Sequence, residues 1–151
     1  MIQEYLDVIQ EFKTRQRAEV FVRYQHMKFI VGVLKDRDRT IYINGGGAVE
    51  KHETPEEAGI REVMEELGVI VKDMRLVDRA EDYSRRESIF FVGEFDRYDK
   101  TIYNKDRDAL KVAVVSKKEL MDNFKKYGGV YPRAKINEDE KWIRVKILER
   151  I

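Results

Sequence analysis

Three glutamates, Glu62, Glu65 and Glu66, are spaced so that a helix would gather them on one side. At 100 degrees per residue, with Glu62 at the origin, Glu65 falls near about −60 degrees and Glu66 near about +40, an arc of roughly 100 degrees. Ile60, Val63, Met64 and Leu67 occupy the opposite arc. The segment therefore carries an apolar stripe for a core and an anionic stripe for solvent or a cleft. The plain reading is a solvated acidic face in which Arg61 pairs with Glu57 or Glu65 one turn away. Against it, Glu62 and Glu66 are like charges at i,i+4, a cost of about 0.2–0.5 kcal/mol unless a cation sits between them. A hard divalent cation with a preference for oxygen ligands removes that cost. Mg²⁺ commonly combines a few carboxylates with waters and substrate phosphates. Upstream, Gly45-Gly46-Gly47 allows backbone to approach a ligand closely and to present carbonyl oxygens or N–H groups, although a loose turn would also explain three glycines.

Composition narrows the chemistry to those carboxylates. The chain has no cysteine, which excludes disulfides, thiolate metal sites and cysteine nucleophiles. Two histidines, His26 and His52, make a zinc site or a histidine-based triad a poor reading. With 30 Lys+Arg against 29 Asp+Glu the net charge is +1, which argues against a nucleic-acid binder held by phosphate contacts. A length of 151 residues is that of one ordinary domain. A 42% hydrophobic and 11% aromatic content is enough to fill its core, even though 39% of residues are charged. Apolar runs such as 89–92 fall far short of the ~18 residues of a membrane span. The start, Met1-Ile2-Gln3-Glu4-Tyr5, lacks the basic and apolar regions of a signal peptide. The expectation is a single domain over 1–151, cytoplasmic, without a membrane partner and either monomeric or homodimeric.

The elements that must position the glutamates follow from pattern and punctuation. Ile2, Tyr5, Leu6, Ile9 and Phe12 lie at helical spacing and predict an amphipathic N-terminal helix. Strands are predicted over 18–24 and 28–34 with Gln25-His26 at the turn, then a solvated hairpin loop over 35–39 and a short strand over 40–43 that runs into the glycines. The helix over 54–68 is the best specified: Thr54 is an N-cap, Pro55 suits the first turn, Glu57 closes a capping box and Gly68 suits the stop. Strands are predicted over 69–77, 88–95 and 110–115, and a helix capped by Ser116 through Phe124. After Tyr127-Gly128-Gly129, Asn137 with Glu140 could cap a last helix carrying Trp142, Val145 and Leu148. Alternation at Ile143, Val145 and Ile147 leaves a strand open there. The fold class is mixed α/β or α+β.

These residues together match a known pattern. Gly47, five residues, Glu53, seven residues, Arg61-Glu62-Val63, one residue, Glu65-Glu66, one residue and Gly68-Val69 form a complete Nudix box over 47–69. The chain resembles the Nudix hydrolase family. The resemblance implies an α/β/α sandwich with a mixed β-sheet. It implies hydrolysis of a diphosphate linkage in a small nucleotide, with Mg²⁺ or Mn²⁺ as cofactor. On this resemblance Glu62, Glu65 and Glu66 are similar to the family's metal ligands, with Gly46 offering a backbone carbonyl. Glu53 and Arg61 look like the ion pair that holds the loop against the helix, and Glu62 is the choice for general base. The candidates for an additional acid after the box are Asp106, Asp108 and Glu94, although the stretch 105–109 reads first as a solvated charge run. Many members carry Pro-Gly-Gly before the box and glycine at the position of His52, so loop shape is where this chain departs. No subclass signature is present. The stretch Tyr83-Ser84-Arg85 lacks the proline of the ADP-ribose group, and Tyr83 is near, but not on, the tyrosine of the dinucleoside polyphosphate group. The expected substrates are nucleoside diphosphates joined to a second group, such as ADP-ribose or dinucleoside polyphosphates. Nucleoside triphosphates, or a non-catalytic nucleotide-sensing module, are the alternatives. A stable nucleic-acid complex is not expected.

Overall fold

The computed structural model describes residues 2–4, 16–81, 86–101, 103, 110–132 and 138–151. In chain order the elements are β1 (Arg17–Tyr24), β2 (Lys28–Asp36), β3 (Arg39–Ile43), β4 (Gly45–Ala48), α1 (Pro55–Leu67), β5 (Val69–Glu81), β6 (Glu87–Tyr98), β7 (Lys111–Ser116), α2 (Lys117–Tyr127) and α3 (Glu138–Arg150). The predicted N-terminal helix is helical at 2–4 and otherwise lies outside the described residues, as does Asn137.

The seven strands form one mixed sheet with the path β3-β2-β1-β6-β5, to which β4 adds beside β1 and β7 beside β2. β1 and β6 run parallel, with Glu19 beside Phe90, and every other pairing is antiparallel. Strands buried on both faces read as near-continuous apolar runs, and the central strands do so. Ala18, Val20, Val22, Ile30, Ile89 and Phe91 pack with Ala58, Val63 and Leu67 of α1 on one face. Phe21, Phe29, Val31, Phe90 and Val92 pack with Leu120 and Phe124 of α2 and Val145, Ile147 and Leu148 of α3 on the other. Helices thus cover both faces, which is the α/β/α sandwich. No helix among the described residues is long and apolar enough to cross a membrane.

Two expectations are corrected. The segment 35–39 is the expected hairpin connection, but the loop is shorter: β2 continues through Asp36 and β3 starts at Arg39, with only Arg37 and Asp38 between them. An Asp36–Arg39 ion pair closes that turn. The glycines are not a turn either. They are β4, a strand laid antiparallel along β1 with Gly46 opposite Glu19. The open choice for the last segment resolves as helix, because Val145 and Leu148 bury on one helical face. Trp142 stays 39% exposed.

Candidate active site

The acidic helix begins where its cap dictates. Thr54 Oγ1 accepts from Glu57 N–H at 3.1 Å and Glu57 Oε1 accepts from Thr54 N–H at 3.2 Å, so Glu57 is spent on the cap and not on Arg61. At the far end Gly68 adopts φ 67, the left-handed region, and donates to the Met64 carbonyl at 3.1 Å. Within this frame the apolar stripe is buried at Val63 and Leu67. The acidic stripe turns toward β4.

Close approach to the glycine strand is what brings Glu62 and Glu66 against the same backbone. Glu66 is only 5% exposed, and its Oε1 accepts the Gly46 N–H at 2.8 Å. A Cβ on Gly47 would lie 2.5 Å from the carboxyl carbon of Glu62, so any side chain there would displace that carboxylate. A Cβ on Gly45 would lie 2.9 Å from Val63. The strand therefore needs glycine for contact with the helix, not for turning.

Arg61 is the hub of the charge arrangement. Its Nε and Nη2 donate to both oxygens of Glu53 at 2.8 and 3.1 Å, the forked geometry that suits guanidinium and carboxylate. Nη1 donates to Glu62 at 2.9 Å and to Glu65 at 3.2 Å, and Nη2 also reaches the Ala48 carbonyl at 3.1 Å. One arginine thereby joins loop, strand and helix. The hydrogen bond from Arg61 holds the Glu53 carboxyl below the usual carboxylate range, against the opposing effect of burial. Donating to Glu53 in turn raises Arg61 above its ordinary value, again against burial. Glu53 also accepts the Glu50 N–H at 3.0 Å. Next to it, His52 has φ 69, a conformation that favours glycine. His52 thus holds a backbone conformation that a glycine at this position would adopt without strain.

The donor set suits a hard divalent cation. Glu62 and Glu66 offer carboxylate oxygens against the same glycine strand, and Glu65 is tied to Glu62 through Arg61 Nη1. Among the described residues no three acids already converge as a cation cage: Arg61 and the Gly46 N–H hold them instead. Glu94 is brought elsewhere. It accepts from Arg23 at 2.8 and 2.5 Å on neighbouring strands β1 and β6. Asp106, Asp108, Tyr83 and Arg85 lie outside the described residues. Among the aromatic side chains, Phe21 and Phe90 are core, and the Tyr103 hydroxyl donates to the Leu110 carbonyl. Sequence reasoning missed a buried polar cluster behind β4 made by Glu19, Asn44 and Arg144. Glu19 within the apolar stretch 18–22 of β1 was its one signal.

Comparison with known proteins agrees with this architecture. The NUDIX domain profile matches residues 13–143. The chain belongs to the Nudix family, a family of hydrolases. Among solved structures it is similar to an ADP compounds hydrolase, with a TM-score of 0.65 and 16% identity over 90% of this chain and 71% of that one. It is also similar to a MutT structure from a study of Aliivibrio salmonicida and Vibrio cholerae, with a TM-score of 0.63 and 17% identity over 92% and 98% of the two chains. A NUDIX-family hydrolase from Clostridium perfringens gives 0.59 and 17% over 91% and 98%. At these identities the likeness is one of fold. No curated protein sequence matches the chain.

Proposed function

We propose that this protein, acting as a single domain over 1–151, is a divalent-metal-dependent pyrophosphohydrolase. Its proposed substrates are nucleoside diphosphates joined to a second group, of the ADP-ribose or dinucleoside polyphosphate type. The observation that carries the reading is the set Glu53, Arg61, Glu62, Glu65 and Glu66, present without a gap and gathered by Arg61 and Gly46 at one glycine strand. Glu62, Glu65, Glu66 and the Gly46 carbonyl would hold Mg²⁺ or Mn²⁺. When bound, the ion supplies charge neutralisation on the bridging phosphates and a more acidic water. Glu62, lying over Gly47, is positioned to take the proton of the attacking water as general base. Glu53 and Arg61 keep the loop 49–53 against the helix and so fix where the carboxylates stand.

A net charge of +1 provides no strong field for a long polyanion, which favours small nucleotides over nucleic acid. Arg86, beyond β5, and its neighbour Arg85 could meet a second anionic or ring group. Nucleoside triphosphates remain the second reading, since a similar fold carries the MutT name. A panel of ADP-ribose, dinucleoside polyphosphates and nucleoside triphosphates, run with Mg²⁺ or Mn²⁺ in ¹⁸O-labelled water, tests both. Label is expected on a phosphate product and turnover should vanish in excess chelator. Label on carbon, or full turnover with chelator, overturns the mechanism.

A further inference from the structure

Glu19 stands in the most buried part of β1, 8% exposed. Its carboxylate accepts from Nε and Nη2 of Arg144, on α3, at 2.7 and 2.6 Å. The Arg144 guanidinium also lies 5.4 Å from the centre of the Phe90 ring. A third partner, Asn44 Nδ2, donates to Glu19 Oε2 at 2.9 Å. Because the nitrogen must face the carboxylate, the amide cannot be turned over. Asn44 Oδ1 is left buried without a hydrogen-bond partner among the described residues.

Stability does not explain this cluster. A buried ion pair seldom outperforms apolar side chains of the same volume, and an unpaired buried carbonyl has lost its hydration for nothing. Its placement does explain it. Asn44 immediately precedes β4, and Glu19 is the Cα partner of Gly46. A Cβ on Gly46 would come within 2.6 Å of the Ala18 carbonyl and 3.0 Å of Glu19 Cα. Near α3, a Cβ on Gly129 would strike Arg144 Cδ at 2.6 Å. The chain thus places glycine at both ends of the pair. A strand of consecutive glycines has the greatest backbone freedom and no side chain with which to fix itself. Arg61 grips its C-terminal end through the Ala48 carbonyl. Arg144 grips its N-terminal end through Glu19 and Asn44.

We propose that the buried Glu19–Arg144 pair, with Asn44, is a positioning device that clamps the glycine strand from the α3 face of the sheet, so that Gly46 N–H keeps Glu66 in place on the other. Glu19, Asn44 and Arg144 are positioning residues and touch no substrate. The effect on turnover rests on the reading of Glu66 as a metal ligand; the effect on the Gly46 amide does not.

Residue-resolved amide hydrogen exchange by NMR, without metal, tests the clamp. In the double variant Glu19→Gln/Arg144→Met no charge is buried alone, so the fold should persist. The Gly46 amide is expected to exchange at least tenfold faster, with the β2 amides of Ile30 and Val31 within twofold of wild type. In the Mg²⁺-loaded enzyme kcat should fall at least tenfold with KM little changed. Unaltered exchange at Gly46 overturns the proposal, and so does a uniform rise across β1, β2 and β6, the sign of a merely structural role. Should the double variant not fold, Arg144→Lys keeps the charge without the fork and is read by the same two criteria. A wild-type protein with no turnover on any nucleotide refutes the hydrolase reading and leaves the Gly46 measurement standing.

Discussion

Glu62 and Glu66 lie one turn apart on the same helix, yet the structure treats them differently. Glu66 is enclosed and bonded to a backbone N–H, whereas Glu62 lies over Gly47 and receives Arg61. Glu66→Gln keeps an amide oxygen able to accept from Gly46, so circular dichroism and the melting temperature of the metal-free protein should stay near wild type. Turnover should fall by about 10²-fold or more, equivalent to the loss of ~3 kcal/mol of transition-state stabilisation. A wild-type rate in that variant would remove Glu66 from the site. His52 offers a second check on the same loop. Its left-handed φ of 69 costs about 1–2 kcal/mol for a residue with a Cβ, of which glycine's larger entropy loss gives back about 0.5–1. His52→Gly should therefore stabilise the protein by about 0.5–1 kcal/mol in thermal or urea unfolding, and a destabilised variant would show that the loop conformation carries no such cost.

The helix α1 decides which residues share the acidic arc, and its cap decides where the helix starts. Thr54→Ala removes one half of the capping box and should cost about 1 kcal/mol, read as a melting temperature lower by roughly 2–4 °C. An unchanged melting temperature would mean that tertiary packing alone sets the helix start. This element was the most legible in the sequence, because Thr54, Pro55, Glu57 and Gly68 each speak through local chemistry, and all act as expected. The arc of Glu62, Glu65 and Glu66 was legible for the same reason: helical periodicity is local. The glycine strand was not. Three residues without side chains give no alternation, and β4 exists only because β1 lies beside it. The turn at Arg37 and Asp38 was overestimated since Lys35, Asp36 and Arg39 are polar, although their backbones complete the β2–β3 ladder. The pairing of Glu19 with Arg144 spans 125 positions, and no pattern within a window of sequence can contain it. Burial at Val145, Ile147 and Leu148 mixes both periods, which is why strand and helix competed there until packing against α2 and the sheet decided.

At the scale of the whole molecule, Arg61 ties together the loop 49–53, the glycine strand and the helix, so its ionic bonds belong to global stability as well as to the site. Glu53 titrates below the ordinary carboxylate range because Arg61 donates to it. A carboxyl depressed in the folded state contributes stability that is present above its unfolded value, about 4.3, and is lost as pH falls through the lower folded value. Arg61 is shifted upward, chiefly by its hydrogen bond to Glu53, so its contribution persists below the unfolded guanidinium value and fails only in strong alkali. The hub is therefore constant through neutrality and, short of strong alkali, weakens only on the acid side. Urea unfolding of wild type and Glu53→Gln between pH 7 and pH 3 measures this directly. Removing one partner of a charge-assisted, partly buried pair should cost about 1.5–3 kcal/mol at pH 7. The gap between the two proteins should hold down to roughly pH 5 and shrink below about pH 4, since wild-type Glu53 must then take up the proton that glutamine never needed. A gap that widens with acid would mean that Glu53 is protonated more readily in the folded protein than in the unfolded chain, the opposite of what its bonds to Arg61 require.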